Sequence, residues 1–190
     1  MENPDDLQRE LELSRAIAAQ RDRLVRTANR TVLLLAPRTR LKENQIRNVV
    51  NVAGSAGSIE ALLNFIRYQI ARESAWREKN VSQELDRQRA ELIHRGVLPG
   101  DYGQRDFGHQ VIEDIQGEVR AAAVRAIALL RRPLAGAADD PALLDQIERR
   151  LAEEYLGYLN RAFYYCVKVE GGHGALETIV TRKEPGNATL

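Results

Sequence analysis

The sequence predicts an all-α protein, a compact helical bundle of about five to six helices with a flexible C-terminal tail. Apolar residues recur at helical spacing along most of the chain, and a Pro or a Gly stands where most of these stretches end. With 190 residues the chain can bury one core without disulfides, whereas two independent domains would be crowded. We therefore expect a single helical domain over residues 1–170, with a possible sub-boundary at 96–108, and a tail over 171–190.

Composition and charge exclude several classes of protein. Cys166 is the single cysteine, so no disulfide forms within the chain and the composition fits a reducing compartment. No apolar run approaches the roughly 20 residues that span a bilayer, and the first residues are acidic where a signal peptide would be basic. The formal net charge is +1, so any attraction to nucleic acid must be local. We expect a cytoplasmic protein with no membrane contact.

The first third of the chain predicts two helices. A long helix starts at Asn3 or Asp5 and ends before Pro37; residues 31–35 could instead form a short strand because they are an uninterrupted apolar run, and we retain the helix. Thr39 can cap a second helix. The inward stripe of this second helix comprises Ile46, Val49, Val50 and Ala53, and its polar face comprises Arg40, Asn44, Arg47, Asn48 and Asn51.

A third helix follows directly and forms a helical hairpin with the second. The glycines in segment 54–57 end the second helix, and Ser58 can cap the third. The inward positions of the third helix are Ile59, Leu62, Leu63, Ile66 and Ile70, and a second face carries Phe65, Gln69, Arg72 and Trp76. The hairpin therefore has one face available for the core and another for solvent or a partner.

A fourth and a fifth helix are expected on either side of a loop. Asn80, with Gln83 three residues later, resembles a capping box for a helix that runs to about His94. Residues 96–108 contain glycines and no helical periodicity, which predicts the loop. From about Gln110 an apolar stripe with small alanines predicts the fifth helix.

The sixth helix is the most clearly marked. Pro133 ends the fifth helix, and Asp140 followed by Pro141 provides a cap with proline at the first helical position. A regular apolar stripe then continues as far as Gly171. Beyond it we expect an ordered stub over 176–180 and then the tail.

One collection of reactive side chains lies between Asp101 and His109 and continues in Glu113 and Asp114. If Asp106, His109 and Glu113 converged, they could hold a divalent metal for a hydrolase. A structural interpretation, in which Asp106 caps a helix and a neighbour satisfies His109, is favoured. One His with scattered carboxylates is common, and no recognised motif surrounds it.

Other catalytic motifs are missing as well. Segment 54–58 lacks the spacing and the Lys of a P-loop and follows a helix rather than a strand. A catalytic thiol at Cys166 would need a basic environment, which we do not expect there because the aromatic run at 163–165 indicates packing. The sequence therefore predicts no enzymatic activity, no metal and no cofactor.

Segment 38–79 is locally basic and is the most informative region for function. Its cations are Arg38, Arg40, Lys42, Arg47, Arg67, Arg72, Arg77 and Lys79, and its acids are Glu43, Glu60, Glu73 and Glu78. Amides and an aromatic ring are interleaved with these cations: Asn44, Gln45, Asn48, Tyr68 and Gln69. That mixture suits phosphate contacts combined with stacking or sugar contacts to single strands.

Two short motifs in this segment resemble a known family. The first is Leu41-Lys42-Glu43-Asn44-Gln45-Ile46-Arg47-Asn48, and the second, on the following helix, is Phe65-Ile66-Arg67-Tyr68-Gln69-Ile70-Ala71-Arg72. Over about residues 41–77 the chain resembles the small helical subunit of type III CRISPR effector complexes, particularly of the Csm type. Gln45 and Arg47 match the first motif of that family, and Tyr68 and Arg72 match the second.

The resemblance implies a non-catalytic, RNA-binding structural subunit of a ribonucleoprotein complex of antiviral defence. Its partners would be RNA along the crRNA–target duplex, other CRISPR effector subunits, and further copies of itself along a filament. Lys42 and Arg67 are added to the site because of their charge. The predicted nucleic-acid-binding residues are Lys42, Gln45, Arg47, Arg67, Tyr68 and Arg72.

Two alternatives remain open from the sequence. The helices on either side of segment 54–58 could form a helix-turn-helix that binds DNA in the major groove. Alternatively, the protein could be a helical adaptor without nucleic acid, in which an aromatic face at Tyr155, Tyr158 and Tyr165 docks a partner protein.

Overall fold

The computed structural model describes residues 4–35, 39–78, 87, 90–91, 93–95, 105–130 and 141–181. Its helices are α1 (Pro4–Ala18), α2 (Arg21–Val32), α3 (Glu43–Ala53), α4 (Ile59–Arg72), α5 (Phe107–Asp114), α6 (Arg120–Ala128), α7 (Pro141–Lys168) and α8 (Gly172–Thr181). No strand occurs in these ranges, and residues 31–35 are the end of α2 and a turn. The predicted all-α bundle is confirmed.

The centre of the bundle is α7, which packs against α2, α3, α6 and α8. The fully buried side chains of α2 include Leu24, Ala28 and Val32. Those of α7 include Ile147, Leu151, Tyr155, Leu156 and Leu159. These positions recur every three or four residues, which is the spacing of one helix face. The long helix α7 is therefore the scaffold on which the shorter helices are arranged.

The prediction of one long N-terminal helix is wrong at residues 19–20, where the chain divides into α1 and α2. The backbone N–H of Gln20 bonds to the carbonyl of Ile17 (2.9 Å) rather than to that of Ala16. The side-chain amide of Gln20 donates to the carbonyl of Ala16 (3.5 Å), and Arg125 Nε donates to Gln20 Oε1 (3.2 Å). The buried side chain of Gln20 thus satisfies the carbonyl of Ala16, which a continuous helix would pair with a backbone N–H.

The hairpin of α3 and α4 forms as predicted, with one correction at its start. Thr39 does not cap α3, because α3 begins only at Glu43 and the hydroxyl of Thr39 donates to Glu78 Oε2 (2.7 Å). Gly54 follows the end of α3, and Ser58 caps α4 by accepting from the N–H of Ala61 (3.2 Å).

A 3-10 turn at Ser74–Arg77 follows α4 and carries Trp76 into the core. Trp76 is fully buried and lies 5.6 Å from the Phe107 ring, centroid to centroid, so it does not extend the outer face of α4. Beside it, a Cβ on Gly108 would lie 2.5 Å from Ile70 Cγ1. Only glycine permits this close approach of α5 to α4.

The helix expected from about Gln110 starts earlier, at Phe107, and contains a π-helical turn at Ile115–Val119 between α5 and α6. The predicted capping box of Asn80 and Gln83 lies outside the described residues. Most of the predicted loop at 96–108 also lies outside the described residues. The described positions between 87 and 94 are helical.

The sixth predicted helix is confirmed as α7, although Asp140 lies outside the described residues. Gly171 has a φ of 73°, a left-handed conformation that favours glycine and allows the chain to turn into α8. The ordered stub predicted at 176–180 is part of the longer helix α8, which buries Leu176 and Val180. The prediction of a tail from 171 is therefore wrong for residues 172–181, which are helical. Residues 182–190 lie outside the described residues.

Candidate nucleic-acid interface

The predicted site lies on the outer faces of α3 and α4. The inner face of α3 buries Ile46, Val49 and Ala53, and that of α4 buries Leu62, Leu63, Ile66 and Ile70. The polar face predicted for α3 is exposed at Arg40, Asn44, Arg47, Asn48 and Asn51. Because the inner faces are committed to the core, the outer faces are the part of the hairpin that a partner can reach.

At the start of α3, three predicted residues lie within two helical turns. Gln45 is half-buried and serves the helix itself, because its Oε1 accepts from the backbone N–H of Lys42 (2.8 Å). The side chains of Lys42 and Arg47 are exposed, and Arg47 forms an ion pair with Glu43 (3.4 Å). Gln45 therefore caps the helix, whereas Lys42 and Arg47 face solvent.

On α4, Tyr68 and Arg72 are brought into direct contact. Arg72 donates to the hydroxyl of Tyr68 (3.1 Å), and its guanidinium carbon lies 5.9 Å from the centroid of the ring. Tyr68 is 51% exposed. Arg67 is also exposed on α4 and pairs with Glu60. Gln69, by contrast, is buried and is unavailable to a ligand.

All four acids of the basic segment pair with an arginine. Glu43 pairs with Arg47, Glu60 with Arg67, Glu73 with Arg72, and Glu78 with Arg40. Burial would raise the pKa of Glu78, but hydrogen bonds from Arg40 and Thr39 outweigh burial and hold that pKa below its usual value. The pairs of Glu43, Glu60 and Glu73 are more exposed. Such pairs contribute about 0–1 kcal/mol each, so a phosphate can replace these carboxylates at small cost.

The reactive cluster near residue 106 is a helix cap. Asp106 accepts from the backbone N–H of His109 (2.9 Å) and contacts His109 Nδ1 (2.7 Å), while Glu113 pairs with Arg105 (3.4 Å). The structural interpretation of Asp106 and His109 is confirmed. Within the described ranges, no group of three or more His, Cys, Asp or Glu side chains is placed to hold a metal ion.

Sequence reasoning missed a buried polar cluster around Asp114, the last residue of α5. Asp114 accepts from the hydroxyls of Thr31 and Tyr155 (2.6 Å for Tyr155) and from Gln110 Nε2 (2.9 Å). Burial raises the pKa of Asp114 to about 6, against the opposing effect of these hydrogen bonds. The cluster joins α2, α5 and α7, and no solvent-exposed residue belongs to it. We assign it to the core.

The aromatic face considered for protein docking is not continuous. Tyr155 is fully buried and bonds to Asp114, so that part of the hypothesis is wrong. Tyr165 is exposed and Tyr158 is half-buried. Burial raises the pKa of the Cys166 thiol, which opposes thiolate chemistry at this position.

None of the described helices has both the length and the hydropathy needed to cross a membrane. No protein-family model, no curated protein and no solved structure matches the chain.

Proposed function

We propose that the protein is a non-catalytic RNA-binding structural subunit of a CRISPR ribonucleoprotein effector complex in the cytoplasm. Its basic hairpin, α3 and α4, contacts the path of the crRNA–target RNA duplex. The other effector subunits and further copies of the chain are its protein partners. The proposal joins the sequence resemblance over residues 41–77 to the geometry of that hairpin.

The observation that carries the proposal is the exposed contact between Tyr68 and Arg72. A ring and a guanidinium side by side can stack on a base or sugar and contact a phosphate at the same time. Arg67 on the same helix, Arg47 on α3 and Lys42 directly before α3 add cations to the outer surface. Such contacts read the backbone and the shape of RNA, so binding should depend on salt and little on sequence.

The test measures binding of a fluorescein-labelled RNA duplex to the full chain by anisotropy at several salt concentrations. The double variant Arg47→Glu with Arg72→Glu should abolish binding, because each substitution replaces a phosphate contact with a repulsive charge. A matched control, Arg9→Glu with Arg23→Glu, changes the net charge equally at exposed positions of α1 and α2. It should retain most of the affinity.

Three outcomes would contradict the proposal. The parent chain would fail to bind RNA, or both double variants would lose affinity to the same extent, or binding would prove specific for a DNA sequence. The last result would instead favour the helix-turn-helix alternative. Recovery of bound RNA from cells, followed by sequencing, should return guide RNAs together with the other subunits.

A further inference from the structure

A second exposed surface lies on the C-terminal half of α7, far along the chain from the hairpin. It consists of Tyr158, Arg161, Tyr164, Tyr165 and Lys168, which we call the α7 stripe. These residues recur every three or four positions, so they occupy one side of the helix. Leu159 and Phe163 on the other side are buried. The stripe is about 15 Å long, at 1.5 Å per residue.

Each cation of the α7 stripe lies over a tyrosine ring. The guanidinium carbon of Arg161 is 4.9 Å from the ring centroid of Tyr158, and Lys168 Nζ is 5.9 Å from that of Tyr164. Tyr164 is 48% exposed and Tyr165 is 39% exposed. A base that stacks on one of these rings would therefore bring its phosphate close to a positive charge.

The charge of this surface distinguishes it from an ordinary solvated helix face. Residues 155–168 contain two cations and no Asp or Glu. The acid that precedes them, Glu154, accepts three hydrogen bonds from Arg21 (3.3, 3.0 and 2.9 Å) and one from the hydroxyl of Tyr158 (3.2 Å). The α7 stripe thus presents two cations with no acid among residues 155–168, which is complementary to a polyanion.

A groove adjoins the N-terminal end of the stripe. It has a volume of about 500 Å³, and its lining includes the cations Arg21, Arg150 and Arg161 together with Glu153 and Glu154. A volume of this size accommodates a nucleotide.

We propose that the α7 stripe binds a single-stranded polynucleotide, with bases stacked on the tyrosines and phosphates at Arg161 and Lys168. A protein partner would also use exposed aromatic residues, but it gives no reason for the cations over the rings of Tyr158 and Tyr164 or for the lack of acids at residues 155–168. The proposal is independent of the function assigned to the hairpin, because none of its residues belongs to α3 or α4.

The test uses the full chain with two labelled probes, an oligouridylate and an oligothymidylate of about 15 nucleotides. The double variant Arg161→Glu with Lys168→Glu should weaken binding of at least one probe by about tenfold or more. It should also reduce the slope of log affinity against log salt by about 1.4, the value for two phosphates on a single strand. If the double variant binds only the oligouridylate more weakly, the ligand is RNA. If it binds both probes equally more weakly, the site recognises the phosphate backbone of either nucleic acid.

Tyr164→Ala and Tyr164→Phe separate stacking from charge. The alanine variant should weaken binding about fivefold or more, since stacking on an aromatic ring contributes about 1–3 kcal/mol per base. The phenylalanine variant should bind like the parent. The Arg9→Glu with Arg23→Glu variant again controls for net charge. The proposal is overturned if that control loses as much affinity as the α7 double variant, or if the α7 double variant binds both probes as the parent does.

Photo-crosslinking makes the two proposals distinguishable. An oligonucleotide containing 4-thiouridine is irradiated with the full chain, and the modified residues are mapped by mass spectrometry. Crosslinks at Tyr164 or Tyr165 that persist in the Arg47→Glu with Arg72→Glu variant support the α7 stripe even if the hairpin proposal fails. Crosslinks confined to Tyr68 overturn the α7 stripe and leave the hairpin proposal intact.

Discussion

Tyr155 and Tyr68 both hydrogen bond to a charged or ionisable side chain, but they do so in opposite surroundings. Tyr155 is fully buried and donates to Asp114, whereas Tyr68 is 51% exposed and accepts from Arg72. Burial makes the first contact a constraint on how α2, α5 and α7 pack. Because Tyr68 and Arg72 are exposed, a ligand can displace the water around the second contact. The position of a polar contact, rather than its residue types, decides whether it stabilises the fold or is available for binding.

Replacing each tyrosine by alanine gives the largest contrast. Tyr155→Ala should lower the free energy of unfolding by about 4 kcal/mol, because it leaves a cavity in the core and removes a donor from Asp114. Tyr68→Ala should change it by no more than about 0.5 kcal/mol. Chemical denaturation followed by circular dichroism measures both values. Similar losses for the two variants would show that Tyr155 is not held in the core as described.

The dependence of stability on pH tests the buried cluster more selectively. The folded-state pKa of Asp114 is about 6, above its ordinary value of 3.8, so folding disfavours the ionised carboxylate. The stability that this group contributes is complete below its unfolded-state pKa and is lost as the pH rises through about 6. A shift of about two pKa units corresponds to roughly 3 kcal/mol as an upper value.

Asp114→Asn isolates this effect because the amide does not titrate. The difference in unfolding free energy between the parent and Asp114→Asn should therefore move in favour of the variant between pH 4 and pH 7. Glu78, whose pKa is lowered, contributes in the opposite sense and at lower pH, and it is present in both proteins. A difference that stays constant over this range would contradict the raised pKa of Asp114.

Sequence patterns predicted several helix starts correctly, although the cap expected at Thr39 was wrong. Ser58, Asp106 and Pro141 stand at the first turns of three helices, and capping chemistry depends only on neighbouring residues. The apolar stripes also gave the buried faces of α3, α4 and α7. Periodicity and caps together therefore account for the fold class and for most of the element order.

The features that the sequence did not reveal depend on distant partners. The break between α1 and α2 is stabilised by Gln20, whose side chain bonds to Arg125 more than a hundred residues away. Asp114 is buried because Thr31 and Tyr155 supply donors from two other helices. An acid on a helix is ordinarily solvated, so no local pattern identifies this exception.

At the candidate site, sequence patterns identified the exposed residues but not the side chains they pair with. The exposure of Arg47, Arg67 and Arg72 agrees with the expected outer face, yet each also has an acid partner within its own helix or next to it. Gln45 and Gln69 were candidates for RNA contacts by composition, and the structure commits Gln45 to capping and buries Gln69. Side-chain partners depend on geometry that composition does not contain.

The variant with the smallest expected change in stability, Tyr68→Ala, gives the most specific functional prediction. Tyr68→Ala should leave unfolding nearly unchanged but weaken RNA binding by about tenfold, since the ring would no longer stack and Arg72 would lose its support. Tyr68→Phe retains the ring and loses only the hydroxyl that accepts from Arg72, so it should recover most of the affinity. If alanine and phenylalanine variants bind RNA equally well, the exposed pair is a solvated surface contact, and the hairpin must recognise RNA through its cations alone.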